Sequence, residues 1–62
     1  MELKEFKTIM KDNGYKVSNY DKDIYRIEKD NKFIKYVSKN VVLKMLKNEY
    51  EAISFINYKL GA

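Results

Sequence analysis

The sequence contains no cysteine, histidine, proline or tryptophan, and only two glycines. The lack of cysteine and histidine excludes disulfide frameworks, thiol and imidazole nucleophiles, and the zinc, haem and iron–sulfur sites that depend on those side chains. Neither Gly14 nor Gly61 has the neighbours of a phosphate-binding loop, which argues against a nucleotide site. We therefore expect that the protein is not an enzyme and that it needs no cofactor.

Long apolar segments are also missing. No run approaches the roughly 20 residues that a membrane-spanning helix needs, and the first residues, MELKEFKTIMK, mix charges with apolar residues, unlike a signal peptide. We expect a soluble cytoplasmic protein with no membrane partner. Its 62 residues, 45% hydrophobic and 35% charged, suit a single small domain over residues 1–62.

The net charge of +4 is concentrated in one part of the chain. Positive and negative charges nearly cancel before residue 32, whereas residues 32–48 carry no acidic side chain. The lysines of this segment, which we call the basic stretch, are Lys32, Lys35, Lys39, Lys44 and Lys47. A patch of one sign attracts the opposite charge, so the basic stretch is a candidate surface for nucleic acid or an acidic protein. The alternative is a solvated face in a chain rich in Lys, Asn, Ile and Tyr.

Apolar spacing predicts the first half of the fold. Residues 2–13 have apolar side chains at three- and four-residue steps, typical of an amphipathic helix. Asn13-Gly14 predicts the end of that helix, because glycine readily adopts the left-handed conformation found there. The alternation in residues 15–18 predicts a short strand, and the polar residues 19–23 predict a loop.

A β-hairpin is predicted over residues 23–38. Two β-rich runs, Ile24 to Glu28 and Phe33 to Val37, flank a turn with Asp30-Asn31 at its centre. A regular hairpin around that turn places Ile27 opposite Ile34 and Tyr25 opposite Tyr36, as one buried face. The opposite face then has the pairs Ile24 with Val37, Arg26 with Lys35, and Glu28 with Phe33.

The segment after the hairpin predicts helix, with Ser38 as its N-cap. An unbroken helix over residues 39–60 would be about 33 Å long, whereas a globule of this size is only about 27 Å across. Asn48 followed by Glu51 is typical of a new helix start, so we expect a break near Lys47-Asn48 and a terminal helix over 49–60. Residues 39–47 could be helix or strand, since Val41, Leu43 and Met45 also alternate.

The predicted fold is therefore α+β: an N-terminal helix, an antiparallel hairpin or three-stranded sheet, and a C-terminal helix that is kinked near Lys47-Asn48. The kink predicts a monomer with Ile56 in the core, whereas an unbroken helix would project from the globule and predicts a homodimer. We interpret the paired carboxylates Asp21 with Asp23, and Glu49 with Glu51, as turn and helix-start residues rather than metal ligands.

Six tyrosines and three phenylalanines are more aromatic surface than so small a core needs, so some must be exposed. Tyrosine and arginine are common in the centres of protein interfaces. The candidate partner-binding residues are Tyr20, Arg26, Lys32, Phe33, Lys35, Lys39, Lys44, Lys47 and Tyr58. With a single arginine in the chain, base-specific nucleic-acid recognition is not expected, although the lysines would suffice for non-specific binding.

The layout is similar to known proteins. A helix that ends in Asn13-Gly14-Tyr15, followed by strands and a terminal helix, resembles HicA-type mRNA interferase toxins and the double-stranded RNA-binding fold. Those toxins act through a histidine that this chain lacks, so the resemblance implies no ribonuclease activity. The segments LKEFKTIMKDNGYKV and IYRIEKDNKFIKYVS also look like small accessory proteins of phages and mobile elements of low-GC bacteria.

That second resemblance implies stoichiometric binding to a host factor, as in an inhibitor or anti-defence protein. We therefore expect a non-catalytic interaction protein whose partner is a host protein with an acidic surface. The alternative is a small basic nucleic-acid-binding regulator that uses the Lys32 to Lys47 stretch.

Overall fold

The computed structural model describes the backbone of residues 1–61 and the side chains of residues 1–57. In chain order, the elements are α1 (Leu3–Asp12), β1 (Tyr15–Asp21), β2 (Ile24–Lys29), β3 (Lys32–Ser38), α2 (Lys39–Lys44) and α3 (Glu49–Gly61). The strands form one antiparallel sheet in the order β1-β2-β3. The predicted α+β class is confirmed, with three strands in the described sheet.

Helix α1 ends as predicted. The amide and side chain of Asn13 both donate to the carbonyl of Ile9, at 3.1 and 2.8 Å, and Gly14 has a left-handed φ of +87°. Phe6 and Met10, one turn apart on α1, are fully buried.

Strand β1 is longer than predicted, so the interpretation of residues 19–23 as a loop is wrong for residues 19–21, which belong to the strand, and right for residues 22 and 23. Asn19 lies opposite Tyr25, and Asp21 lies opposite Ile24. The turn between β1 and β2 contains only residues 22 and 23. An edge strand with one exposed face accepts polar residues, which is why composition alone predicted a loop here.

The β2–β3 turn is the predicted one, because Asp30 and Asn31 have φ values of 53° and 64°. Glu28 lies opposite Phe33, also as predicted. Beyond that pair the register shifts by one residue, and β3 contains an extra residue, Ile34. The observed pairs are Ile27 with Lys35, Arg26 with Tyr36, Tyr25 with Val37 and Ile24 with Ser38. The other four predicted pairings, which are Ile27 with Ile34, Tyr25 with Tyr36, Ile24 with Val37 and Arg26 with Lys35, are therefore wrong.

The core lies between the inner face of the sheet and the helices. It consists of Phe6, Met10, Tyr15, Tyr25, Ile27, Val37, Val42, Leu46, Ala52 and Ile56. Tyr25 and Ile27 are buried as predicted, but Val37 takes the place expected for Tyr36, which is 43% exposed. Ile34 is only partly buried at the edge of the core. The bulge causes this exchange, since it reverses the faces of the residues that follow it.

The predicted break between the last two helices is confirmed, and residues 39–44 are helical. The Ser38 hydroxyl accepts from the Asn40 amide at 3.2 Å at the start of α2. At the start of α3, the Asn48 side chain accepts from the Glu51 amide, and the Glu51 carboxylate accepts from the Lys47 amide, both at 2.9 Å. Helix α3 thereby folds back, with Ile56 fully buried, in a molecule 26 × 25 × 22 Å in extent.

Two long-range contacts fix α2 in place. The Lys39 amide at its start donates to the Asp23 carbonyl at 2.9 Å. Near its end, the Met1 ammonium donates to the carbonyls of Val42 and Leu46, at 3.0 and 2.6 Å. Among the residues described, no helix has both the length and the apolar character needed to cross a membrane.

Candidate functional site

The outer face of the sheet, which points away from the helices, carries a group of exposed aromatic side chains. We call Tyr20, Arg26, Phe33 and Tyr36 the aromatic face. The exposed fractions of Tyr20, Phe33 and Tyr36 are 59%, 46% and 43%. Arg26 lies on the central strand opposite Tyr36, so its side chain belongs to the same face.

The aromatic rings form a continuous row from β1 to β3. The Tyr20 and Tyr36 ring centroids are 4.3 Å apart, and those of Phe33 and Tyr36 are 4.8 Å apart, with tilted planes in both pairs. The guanidinium carbon of Arg26 lies 4.8 Å from the Phe33 ring centroid. These are favourable aromatic and cation–π geometries, so the rings restrain one another while their outer surfaces stay in water.

Register shifts in both edge strands contribute to this row. In β3, the extra residue Ile34 places Phe33 and Tyr36 on one face, although they are three positions apart. In β1, the pairing shifts between Asn19 and Asp21, which leaves Tyr20 without a partner on β2. Such bulges twist a strand and interrupt its ladder of hydrogen bonds.

The aromatic face has mixed charge. The Arg26 guanidinium lies 3.7 Å from the Glu28 carboxylate, and both side chains are partly exposed. An ion pair between partly exposed side chains contributes little to stability, so Arg26 can leave Glu28 and pair with another acidic group. Lys16 lies opposite Glu28 on the same face. The rings therefore have charges of both signs beside them, two cationic side chains and one carboxylate.

The structure does not gather the basic stretch into one surface. Lys35 points to the helical side, with its ammonium 3.9 Å from the Phe55 ring centroid. Lys39 donates to the Lys22 carbonyl at 2.9 Å. Lys32 starts β3 at the turn, whereas Lys44 ends α2 and Lys47 lies in the break before α3.

Of the candidate partner-binding residues, the structure thus brings together Tyr20, Arg26 and Phe33, and it disperses the lysines. The side chain of Tyr58 lies outside the described residues. Tyr36, at the centre of the aromatic face, was assigned to the core by the sequence prediction. No signal in the sequence marks the bulge that exposes it.

A second group of lysines was not predicted from the sequence. Lys7 and Lys11 of α1 and Lys16 of β1 line a cleft of about 320 Å³, together with Tyr15 and Val17. This group could not be predicted from the sequence, because the charges of residues 1–20 nearly cancel along the chain. The fold places the acidic side chains of that segment elsewhere than on the cleft lining.

The titratable groups of the described residues form no cluster of metal ligands. Burial raises the pKa of Tyr25 above its usual value near 10. Tyr25 belongs to the inner face, where its ring stacks near Phe6, so this shift is a property of the core and not of the aromatic face.

Comparison with protein families, with curated proteins and with solved structures found no match.

Proposed function

We propose that this chain is a non-catalytic interaction protein that binds a larger protein stoichiometrically through its aromatic face. The observation that carries the proposal is the row of three exposed rings beside Arg26 on an uncovered sheet. Tyrosine and arginine are, with tryptophan, the side chains most enriched at the energetic centres of protein interfaces. An inhibitor of a host protein, as the resemblance to phage accessory proteins implies, would act in this way.

The rings are not needed to complete the core. Ten buried residues already form it, and the three aromatic side chains leave about half of their surface in water. A contiguous aromatic patch on so small a protein is a typical mark of an interaction surface. Because the rings already contact one another, binding would restrict few additional side-chain torsions.

A partner would bind the face of the sheet rather than its edges. Both edge strands contain a bulge, at Tyr20 and at Ile34. Bulges are one of the ways in which proteins prevent a further strand from pairing with a sheet edge. The face is therefore the better surface for recognition, and the edges are poor sites for an added strand.

A protein partner fits this face better than a nucleic acid. Single-stranded nucleic acid needs aromatic stacking platforms and a positive groove that follows the backbone. Here the one arginine lies beside Glu28, and the lysines of the basic stretch point in different directions. A partner with an acidic group within an apolar patch could contact Arg26 and the rings together.

The test is a comparison of variants that leave the core unchanged. Tagged wild type, Tyr36→Ser and Tyr50→Ser are used to capture proteins from nuclease-treated host lysate, and each captured protein is then purified and titrated by calorimetry. Tyr50 is 80% exposed on α3, away from the aromatic face, so it is a matched control. We expect a protein that binds near 1:1, is weakened about tenfold or more by Tyr36→Ser, and is unaffected by Tyr50→Ser.

Two results would contradict the proposal. In the first, every interaction disappears on nuclease treatment, and the purified chain retards DNA or RNA, which would favour the nucleic-acid regulator. In the second, a purified partner binds wild type and Tyr36→Ser equally well, which would exclude the aromatic face.

A further inference from the structure

The cleft between α1 and β1 is lined by lysines. Lys7 and Lys11 lie one turn apart on α1, Lys16 lies on β1, and Tyr15 and Val17 complete the lining. Its volume is about 320 Å³. Strand β1 is at the edge of the described sheet, so this side of it has no neighbouring strand. Every charged side chain in the lining is cationic.

A fourth lysine lies at the same cleft. The Lys29 ammonium, on β2, is 4.7 Å from the ring centroid of Tyr15. The Lys7 ammonium is similarly placed, 5.4 Å from the ring centroid of Tyr25. Such cation–π contacts hold an ammonium beside a neutral ring. They therefore leave its positive charge uncompensated and available to an anion.

The acidic side chains of α1 do not lie with these lysines. Successive residues of a helix are about 100° apart around its axis, so Lys7 and Lys11 are separated by only about 40°. Glu5 and Asp12 are each about 100° or more from both lysines. Neither carboxylate belongs to the cleft lining.

The sheet also leaves the lysines of the cleft without an ionic partner. The register places Glu28 opposite Lys16, but the Glu28 carboxylate pairs with Arg26 at 3.7 Å and does not line the cleft. Within the described side chains, none of the lysines at the cleft forms an ion pair.

The type of cation favours phosphate over carboxylate as the ligand. Lysine is depleted in protein interfaces, where arginine is preferred because its planar group pairs with a carboxylate through two hydrogen bonds. Lysine binds phosphate as a point charge. Interfaces with nucleic acid are also much more positive than those between proteins. A cleft with several lysines, no arginine and no acid fits a phosphate backbone better than an acidic protein.

We propose that this cleft binds the phosphate backbone of a nucleic-acid duplex. A duplex has a higher density of phosphate charge than a single strand, and lysines that contact its phosphates release bound counterions. Single-strand binding sites also need exposed rings on which bases stack. The one aromatic ring of the lining, Tyr15, is only 5% exposed. Binding would therefore be independent of base sequence.

This cleft and the aromatic face are separate. Lys7 and Lys11 lie on α1, whose buried residues Phe6 and Met10 pack in the core, whereas the aromatic face is on the other side of the sheet. The proposal thus goes beyond the proposed function. Retardation of a duplex does not contradict that function, which requires a protein that remains captured after nuclease treatment.

The test measures binding to nucleic acids of matched length by fluorescence anisotropy. The probes are a DNA duplex and an RNA duplex of about 20 base pairs, two helical turns long, one strand of that DNA, and polyglutamate of similar charge. We expect both duplexes to bind with a Kd of about 10 to 100 μM at low salt, and with a slope of log K against log salt near −3 for the DNA duplex. The single strand and polyglutamate should bind more weakly. Amide chemical shifts should change at Lys7, Lys11 and Lys16.

Charge variants then localise the site. Lys7→Gln combined with Lys11→Gln should weaken duplex binding about tenfold or more and flatten the salt slope by about 2. Lys44→Gln combined with Lys47→Gln removes the same charge away from the cleft and is the matched control, with little effect expected. Lys7→Arg combined with Lys11→Arg keeps the charge and should bind as wild type does. All four lysines are exposed, so the fold should be retained, which circular dichroism checks.

Four outcomes would overturn the proposal. Neither duplex binds at low salt up to about 1 mM, a concentration that detects even weak complexes. The control variant loses as much affinity as the cleft variant, which would mean attraction by net charge alone. Polyglutamate binds as tightly as the duplexes, which would make an acidic protein segment the occupant. The single strand binds more tightly than either duplex, which would exclude a duplex as the preferred ligand.

Discussion

Phe33 and Tyr36 lie side by side on the outer face of the sheet, with ring centroids 4.8 Å apart, although they are three residues apart in one strand. Side chains alternate along a regular strand, so residues three apart point to opposite faces. The extra residue at Ile34 removes that mismatch. The placement of Phe33 and Tyr36 on one face therefore depends on this irregularity of β3.

The shifted register predicts which substitutions destabilise the fold. Val37→Ala should lower the free energy of unfolding by about 2 kcal/mol, because Val37 is buried and the change leaves a cavity. Tyr36→Ala removes a larger side chain but should lower it by less than about 1 kcal/mol, since its ring is half exposed. Urea denaturation measures both. A larger loss for Tyr36→Ala would support the regular register instead.

The parts of the fold that the sequence predicted have local signals. Asn13-Gly14, Asp30-Asn31, Ser38 and Asn48 each supply a side chain or a φ value that their turn or helix end requires. The break was also predicted from the length of the segment. An unbroken helix over residues 39–60 would be about 33 Å long, which exceeds the largest observed extent of the molecule, 26 Å. These features depend on a few neighbouring residues, and so they can be inferred without the tertiary structure.

The register of β3 has no such signal. Phe33, Ile34, Tyr36 and Val37 are all apolar or aromatic, so either face of the strand could have been the buried one. The aromatic candidates Tyr20 and Phe33 could be predicted from residue type alone, but Tyr36 could not. The dispersal of the lysines could not be predicted either, because closeness in sequence does not decide which side of a sheet or helix a residue occupies.

The cap at the start of α3 predicts a second measurable effect. Asn48→Ala removes the acceptor for the Glu51 amide and should lower the free energy of unfolding by about 1 kcal/mol. Asn48→Asp keeps an acceptor and should retain most of the stability. Asn40→Ala, at an exposed position within α2, is the matched control and should change stability little. Equal denaturation midpoints for Asn48→Ala and Asn40→Ala would show that the cap does not stabilise α3.

The Met1 ammonium predicts a third effect, since it donates to two carbonyls near the end of α2. A positive charge at this end of a helix is stabilising. Acetylation of Met1 in a synthetic 62-residue chain should therefore lower the free energy of unfolding by about 1 to 2 kcal/mol. A chain that lacks the α-amine should lose a similar amount without added bulk. Unchanged thermal midpoints for both chains would contradict a structural role for the amine.

The raised pKa of Tyr25 predicts a loss of stability at high pH. Because burial favours the neutral phenol, the folded chain keeps this proton to a higher pH than the unfolded chain does. The contribution of this proton to the free energy of unfolding is fully present below pH 10. It is lost as the pH rises from about 10 through the pKa that Tyr25 has in the folded chain. Tyr25→Phe should reduce the fall in unfolding free energy over that range, whereas Tyr50→Phe, at an exposed site, should not. Equal falls in all three chains would contradict the assignment.

The position of Ile56 predicts both a monomer and a strict dependence on that side chain. Ile56 is fully buried in the core, because α3 folds back after the break at residues 45–48. Ile56→Glu would bury a charge without a partner and should unfold the chain. Tyr50→Glu, on the same helix but 80% exposed, should leave it folded.

Sedimentation equilibrium and circular dichroism on the three chains test this arrangement. We expect wild type and Tyr50→Glu to be folded monomers and Ile56→Glu to be unfolded. A wild-type dimer that Ile56→Glu converts to a folded monomer would place Ile56 at an interface, and would mean that α3 projects from the globule. A folded Ile56→Glu monomer of unchanged stability would contradict both arrangements, because either one requires Ile56 to be shielded from water.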